Sequence, residues 1–320
     1  MDELTTLHSD PIFLRREAIQ MGYDDRALRA AVRGRVLHRI RFGAYTPYHV
    51  WRDADPTQRH HLSCAAVGLT HGHRVAFSHT SGAVENELRL HRPNLDRVHV
   101  TRLDGGPSRV IGDVVYHSGA WTPDDIVQKG DLLLMRPVRS GLEAASLTNV
   151  ENGMVILDSL LDLDLGDEDD IRRTYEAMEG SPRTQHLRIT VRLTRRGAQS
   201  VGESRSRFLC WSQHLPPPEL QFEVFDSQGR LIGTTDFAWP DYGVLGEFDG
   251  KIKYGRLLKP GQRVEDVLFA EKQREDLLRE VTGFLMIRLI WADLARPMLT
   301  GARIRSQLTR GLDLTRRHAG

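Results

Sequence analysis

Three carboxylates in the last third of the chain, Asp236, Glu247 and Asp249, have the spacing to meet. Segments 230–239 and 244–249 read as strands on either side of a four-residue turn, Pro240-Asp241-Tyr242-Gly243. If that turn closes an antiparallel pair, Asp236 faces Glu247 directly, and Asp249, two residues on, points the same way. Three like charges on one sheet face repel each other unless a cation neutralises them. The expected cofactor is therefore a hard divalent ion with oxygen ligands, Mg²⁺ or Mn²⁺. Such an ion acidifies water and offsets the charge that builds up in phosphodiester hydrolysis. The competing reading is a solvated outer face. Phe237, Trp239 and Leu245, interleaved with the acids, argue against it.

The elements that would position these acids follow a single order. A helix opens at Ser200-Val201-Gly202-Glu203, continues through Phe208, Leu209 and Trp211, and stops at Pro216-Pro217-Pro218. Strands follow at 220–226, 230–239 and 244–249, then a charged helix at 264–281 and a strand at Phe284–Leu289. The predicted order is α-β-β-β-α-β. Ser200 and Glu203 have capping-box spacing, so Glu203 reads first as a helix cap whose carboxylate takes the cap's N–H.

The amino-terminal 50 residues carry a different chemistry. Asp10-Pro11 predicts a helix start, with the helix running through Phe13, Leu14, Ala18 and Ile19 to Gly22. Asp24 or Asp25 caps a second helix with Leu28, Ala31 and Val32 on its apolar side, and a small β-wing follows around Phe42-Gly43. Arg26, Arg29, Arg33, Arg35, Arg39 and Arg41 fall within sixteen residues, and no acid appears from Arg26 until Asp53. A winged helix-turn-helix needs arginine on these faces to contact DNA. The alternative is a solvated helix face in an arginine-rich chain.

Composition limits the remaining classes. The 320 residues are 40% hydrophobic and 27% charged, which is globular composition at a length suited to two or three domains. The formal net charge is +1, so no global basic field is present. Only five of the 44 basic residues are lysine, and four of them (Lys251, Lys253, Lys259 and Lys272) cluster in one segment. Two cysteines, Cys64 and Cys210, exclude a disulfide framework and argue against a cysteine zinc site. With no long apolar run and no apolar leader, a soluble cytoplasmic protein without membrane association is expected.

In the middle, Val98–Thr101 and Val114–His117 read as strands, flanked by helical stretches at 57–70 and 141–162. His71 and His73 lack acidic or cysteine partners and read as structural or solvent-facing rather than as metal ligands. The Asp162–Asp170 run reads as a solvated linker and helix start. No catalytic constellation is visible in this part.

Several motifs occur in sequence: Ser200-x-Gly-Glu203-Ser-x-x-Arg, Pro-Glu-Leu-Gln221, Thr-Asp236-Phe-Ala-Trp-Pro, Glu247-Phe-Asp249-Gly-x-x-Lys253-Tyr, Arg274-Glu-Asp276-Leu and Ile-Arg288-Leu-x-Trp291. Together they resemble a family of actinobacterial proteins whose last third is similar to the very-short-patch-repair-type endonucleases of the PD-(D/E)XK superfamily. The amino-terminal Arg-Arg-Glu…Gly22…Arg26-x-Leu28…Gly34-Arg-Val-Leu-x-Arg39-Ile-Arg-x-Gly43-x-Tyr45 resembles the AbiEi-type antitoxin winged helix. The resemblance covers nearly the whole chain and is strongest at 200–295. Together with the residue pattern, it implies a mixed α/β (α+β) chain with four parts: a winged helix at 1–55, a mixed middle domain at 56–165, a helical linker at 166–199 and a restriction-endonuclease-like αβββαβ domain at 200–320. It makes Asp236 and Glu247 metal ligands, joined by Asp249, and makes Glu203 the acid supplied by the first helix. The superfamily's usual lysine, two residues after the second acid, is replaced by Asp249, so Lys253 is the candidate for steadying the phosphate or the attacking water. DNA is the expected partner and a cognate toxin a further one. The contrasting reading is a non-cutting DNA-binding regulator or antitoxin that retains a degenerate nuclease fold.

Overall fold

The computed structural model describes residues 11–178, 180, 184–250 and 264–319, with the backbone alone for 264–271, 318 and 319. The chain is mixed α and β and divides into two compact units, Met1–Thr194 and Arg195–Gly320. Among the described residues no helix is long and apolar enough to cross a membrane.

Unit 1 opens with a winged helix. β1 (Phe13–Leu14), α1 (Arg15–Gln20) and α2 (Asp25–Arg33) precede a hairpin of β2 (Leu37–Arg41) and β3 (Ala44–Pro47). The sheet order is β1-β3-β2, with Phe13 paired to Tyr45 and Leu14 to Ala44. The first helix is thus shorter than its apolar spacing suggests. Phe13 is buried among Ala18, Leu28 and Leu37, and Leu14 among Ala44, Leu62 and Ala65. Two apolar environments on opposite sides suit a strand, which alternates its side chains, better than a one-faced helix. Asp24 caps α2, its carboxylate accepting the Ala27 N–H at 2.7 Å.

The rest of unit 1 begins with α3 (Tyr48–Asp53) and α4 (Pro56–His71), then β4 (Val75–Phe77), α5 (His79–Glu85), β5 (Val98–Arg102) and β6 (Arg109–Ile111). It continues through β7 (Val114–His117), β8 (Ile126–Lys129), β9 (Leu132–Met135), α6 (Pro137–Ser146), α7 (Val150–Asp162), α8 (Glu168–Ala177) and α9 (Leu187–Leu193). The strands form one mixed sheet in the order β6-β7-β5-β4-β9-β8. The two strands expected from sequence, β5 and β7, run parallel, because β6 takes the returning direction between them. His71 is structural, its Nε2 lying 2.7 Å from the Tyr116 hydroxyl. The segment expected as a helical linker instead enters a core: Ile171, Met178 and Leu187 pack with Leu142, Leu157 and Leu160. The winged helix is also continuous with unit 1, through Leu62, Ala65 and Ala66 of α4.

Unit 2 contains α10 (Val201–Ser212), β10 (Glu219–Phe225), β11 (Leu231–Trp239), β12 (Val244–Asp249), α11 (Val264–Thr282) and β13 (Leu285–Ile290). α12 (Trp291–Leu294) and α13 (Pro297–Ala319) follow. This is the expected αβββαβ order. The strands lie side by side in sequence order, the first three antiparallel and β13 parallel to β12. One side of the sheet buries Phe237, Trp239, Val244 and Phe248 against Leu209 of α10 and Ile304 and Leu308 of α13. The other buries Val224, Ala238 and Leu245 against Leu278 of α11. Each fully buried large side chain here contributes about 1.5–3 kcal/mol, enough for the pattern of apolar residues to fix the register.

Candidate functional site

The β11–β12 hairpin has the expected register. Phe237 pairs with Gly246, Ala238 with Leu245 and Trp239 with Val244, and Gly243 closes the turn at φ +61°. Past Phe237 the ladder stops. There the Asp236 side chain, at 2.8 Å through Oδ2, accepts the N–H of Phe248. On the other flank, the pairs Leu220–Phe237 and Phe222–Thr235 bring Gln221 of β10 opposite Asp236. Gln221 has φ +49°, a left-handed conformation rarely held by a residue with a side chain. Leu220 packs on the Phe237 and Trp239 side, whereas Phe222 packs with Val224 and Leu245. The strand therefore reverses its facing at Gln221. The row Gln221–Asp236–Glu247 is a local break in the sheet, and two acids sit on it.

Glu247 is 7% exposed and held by arginines. Arg274 Nη2 of α11 lies 2.5 Å from Oε1, and Arg288 Nη2 of β13 lies 3.8 Å from Oε2. Arg274 also donates to the Thr234 carbonyl at 3.1 Å, and Arg288 to Glu275 at 2.7 Å. Burial pushes the Glu247 carboxyl above its ordinary value and the Asp236 charge adds to this, against the pull of Arg274 and Arg288. Asp236 and Glu247 are thus electrostatically coupled. Asp249 lies at the end of β12, in register with Ile290 of β13. Among the described residues no three His, Cys, Asp or Glu side chains form a group that could hold a metal ion.

Glu203 is 4% exposed and performs a capping role. Its N–H donates to Ser200 Oγ at 3.2 Å, and Ser200 Oγ donates back to Oε1 at 2.6 Å. Oε2 accepts from the Gln199 N–H at 2.8 Å, one residue before the cap, and from Gln221 Nε2 at 3.4 Å. The cap is therefore tied to the side chain beside Asp236. The helix reaches this position because Gly202 has no side chain: a Cβ there would lie 1.9 Å from the Phe248 ring. Lys251 and Lys253 lie outside the described residues.

The arginines of the winged helix divide into two groups. Arg26, Arg29, Arg33, Arg35 and Arg39 are exposed. Arg41 is committed to the fold, donating to Thr70 Oγ1 at 2.9 Å and pairing with Asp113 at 3.3 Å. It anchors the wing to α4 and the start of β7, which leaves five of the six expected arginines as an open cationic surface.

Sequence reasoning gave no role to Gln221, Arg274 or Arg288. A glutamine within a strand carries no signal of left-handed backbone. Arg274 comes to the acid from a helix 27 positions away. No protein-family model matches the chain, and no curated protein does. Among solved structures, the RV2827C protein from Mycobacterium tuberculosis is similar at a TM-score of 0.39 and 12% identity, over 67% of this chain and 83% of that one, a likeness that carries no argument about fold or function.

Proposed function

We propose that the protein is a Mg²⁺- or Mn²⁺-dependent DNA endonuclease, bound to DNA through its winged helix. The supporting observation is the coupled pair Asp236 and Glu247, set side by side where the β11–β12 ladder stops. Two adjacent hard oxygen donors are the part of the donor set that fits such an ion. When bound, the ion would acidify a water and offset charge on the phosphate oxygens. The chain's own groups have distinct tasks. The Phe248 N–H orients the Asp236 carboxylate. Arg274 keeps Glu247 neutralised, and Glu203 ties α10 to the row through Gln221. Lys253 would steady the phosphate, taking the task of the lysine replaced by Asp249. The exposed Arg26, Arg29, Arg33, Arg35 and Arg39 would neutralise backbone phosphates.

A second reading, a DNA-binding regulator or antitoxin that does not cut, is favoured by one specific observation: guanidinium groups already occupy Glu247, and among the described residues no third acid joins the pair. Cleavage of plasmid DNA with Mn²⁺, with chelator, and by the Asp236→Asn variant separates the two. The nuclease reading expects nicking that stops with chelator and is lost in Asp236→Asn, which removes a charge and almost no volume. Cleavage unchanged in that variant would overturn the site. DNA binding without Mn²⁺ uptake by calorimetry would establish the regulator.

A further inference from the structure

Unit 1 carries a histidine cluster that the proposed function does not use. His79 opens α5, His99 lies on β5 and His117 ends β7. The rings of His79 and His117 stack at 3.6 Å, and Nδ1 of His99 lies 2.9 Å from Nε2 of His117. His79 holds φ +52°, a left-handed backbone that a residue with a side chain adopts only where its surroundings impose it. Those surroundings are visible: the buried Glu143 of α6 accepts the His79 N–H at 3.3 Å, and Arg139 donates to the other carboxylate oxygen at 2.7 Å.

Two cavities, of about 790 and about 470 Å³, open on this cluster and share Val110, Val115, His117 and Leu147 in their walls. Arg92 and Arg97 line the larger one, and Arg109 and Arg139 the smaller. The acidic wall residues are Asp96 and Glu143; Glu143 and Arg139 neutralise each other, which leaves Arg92, Arg97 and Arg109 against Asp96. The balance is cationic and selects an anion. The volume exceeds the needs of a bare phosphate and falls in the range of organic ligands. Aliphatic walls and stacked imidazoles offer flat apolar contact of the kind a nucleobase uses. A metal is disfavoured, because two of the rings meet face to face and no metal-holding group is present among the described residues.

We propose that this cleft binds a nucleotide, its phosphate held by the lining arginines and imidazole groups and its base against the imidazoles and the Val110–Val115–Leu147 wall. The proposal is independent of the acids of unit 2. The test is calorimetric titration of the full chain with AMP and CMP in turn, and with adenosine and inorganic phosphate alone. Saturable binding of at least one nucleotide is expected, with adenosine and phosphate each weaker by tenfold or more, about the loss expected when one part of the ligand is missing. His117→Gln and, separately, Arg97→Ala should each weaken nucleotide binding about tenfold, the effect of removing one charge-assisted or imidazole hydrogen bond. Arg97 is exposed, so its variant keeps the test decisive should His117→Gln fail to fold. Asp236→Asn should bind nucleotide as the wild type does, which separates this site from the nuclease reading. The proposal is overturned if neither nucleotide saturates, if adenosine or phosphate binds as tightly as the nucleotide, or if the Arg97 variant binds unchanged.

Discussion

Replacing Arg274 with Met tests the electrostatics of the acid pair directly. Methionine keeps most of the aliphatic stem but removes the donor to Glu247 at 2.5 Å and the donor to the Thr234 carbonyl at 3.1 Å. Breaking a fully buried ion pair costs about 3–5 kcal/mol. Arg274 is 36% exposed and Arg288 remains 3.8 Å from the same carboxylate, so screening and residual pairing reduce the expected loss. About 1–3 kcal/mol is the resulting figure. The pH dependence has a definite sign. The Glu247 carboxyl already lies above its ordinary value, chiefly through burial, and losing Arg274 raises it further. A carboxyl raised in the folded state destabilises when ionised, so the deficit should be full at neutral pH and shrink as pH falls through the raised folded-state value. Urea unfolding followed by tryptophan fluorescence, at about pH 7 and about pH 5, measures both quantities. Adding Glu247→Gln should remove most of the deficit, and Mn²⁺ should bind Arg274→Met more tightly than wild type. Equal midpoints at neutral pH, or a deficit that grows in acid, would refute the reasoning.

Replacing Arg26, Arg29 and Arg33 with Ala should lower the salt slope of DNA binding by about 0.9 for each phosphate no longer neutralised; two identical slopes would return these arginines to a solvated face. Phe13→Ala should cost about 3–5 kcal/mol in urea unfolding, because Phe13 is fully buried and stacks on Tyr45 at 5.7 Å. A loss below about 1 kcal/mol would show that β1 does not hold the wing. Lys253→Met should lower DNA cleavage turnover much more than Mn²⁺ affinity, and equal turnover would remove Lys253 from the site.

Local patterns in the sequence carried further than long-range ones. The β11–β12 register was legible because the short turn at Pro240–Gly243 fixes the pairing. Asp24 was legible as a cap for the same local reason. Phe13 and Leu14 read as helix because their spacing from Ala18 is helical, and only the distant Tyr45 and Ala44 make them a strand. The histidine cluster was invisible, since His79, His99 and His117 come from three elements joined by sheet order rather than by spacing. Asp249 stays in phase with Glu247 along a regular β12, yet among the described residues no three acids form a group that could hold a metal ion.

The absent side chain at Gly202 sets how near the first helix of unit 2 can come to the sheet. Glycine acts there as a spacer of zero thickness. Any methyl group would push against the Phe248 ring and lift the next residue, Glu203, with the helix. The reach of that acid is thus decided by a neighbour with no chemistry of its own. A chain with alanine at 202 would keep every carboxylate in its sequence and still lose the link from Glu203 through Gln221 to the edge of the acid pair.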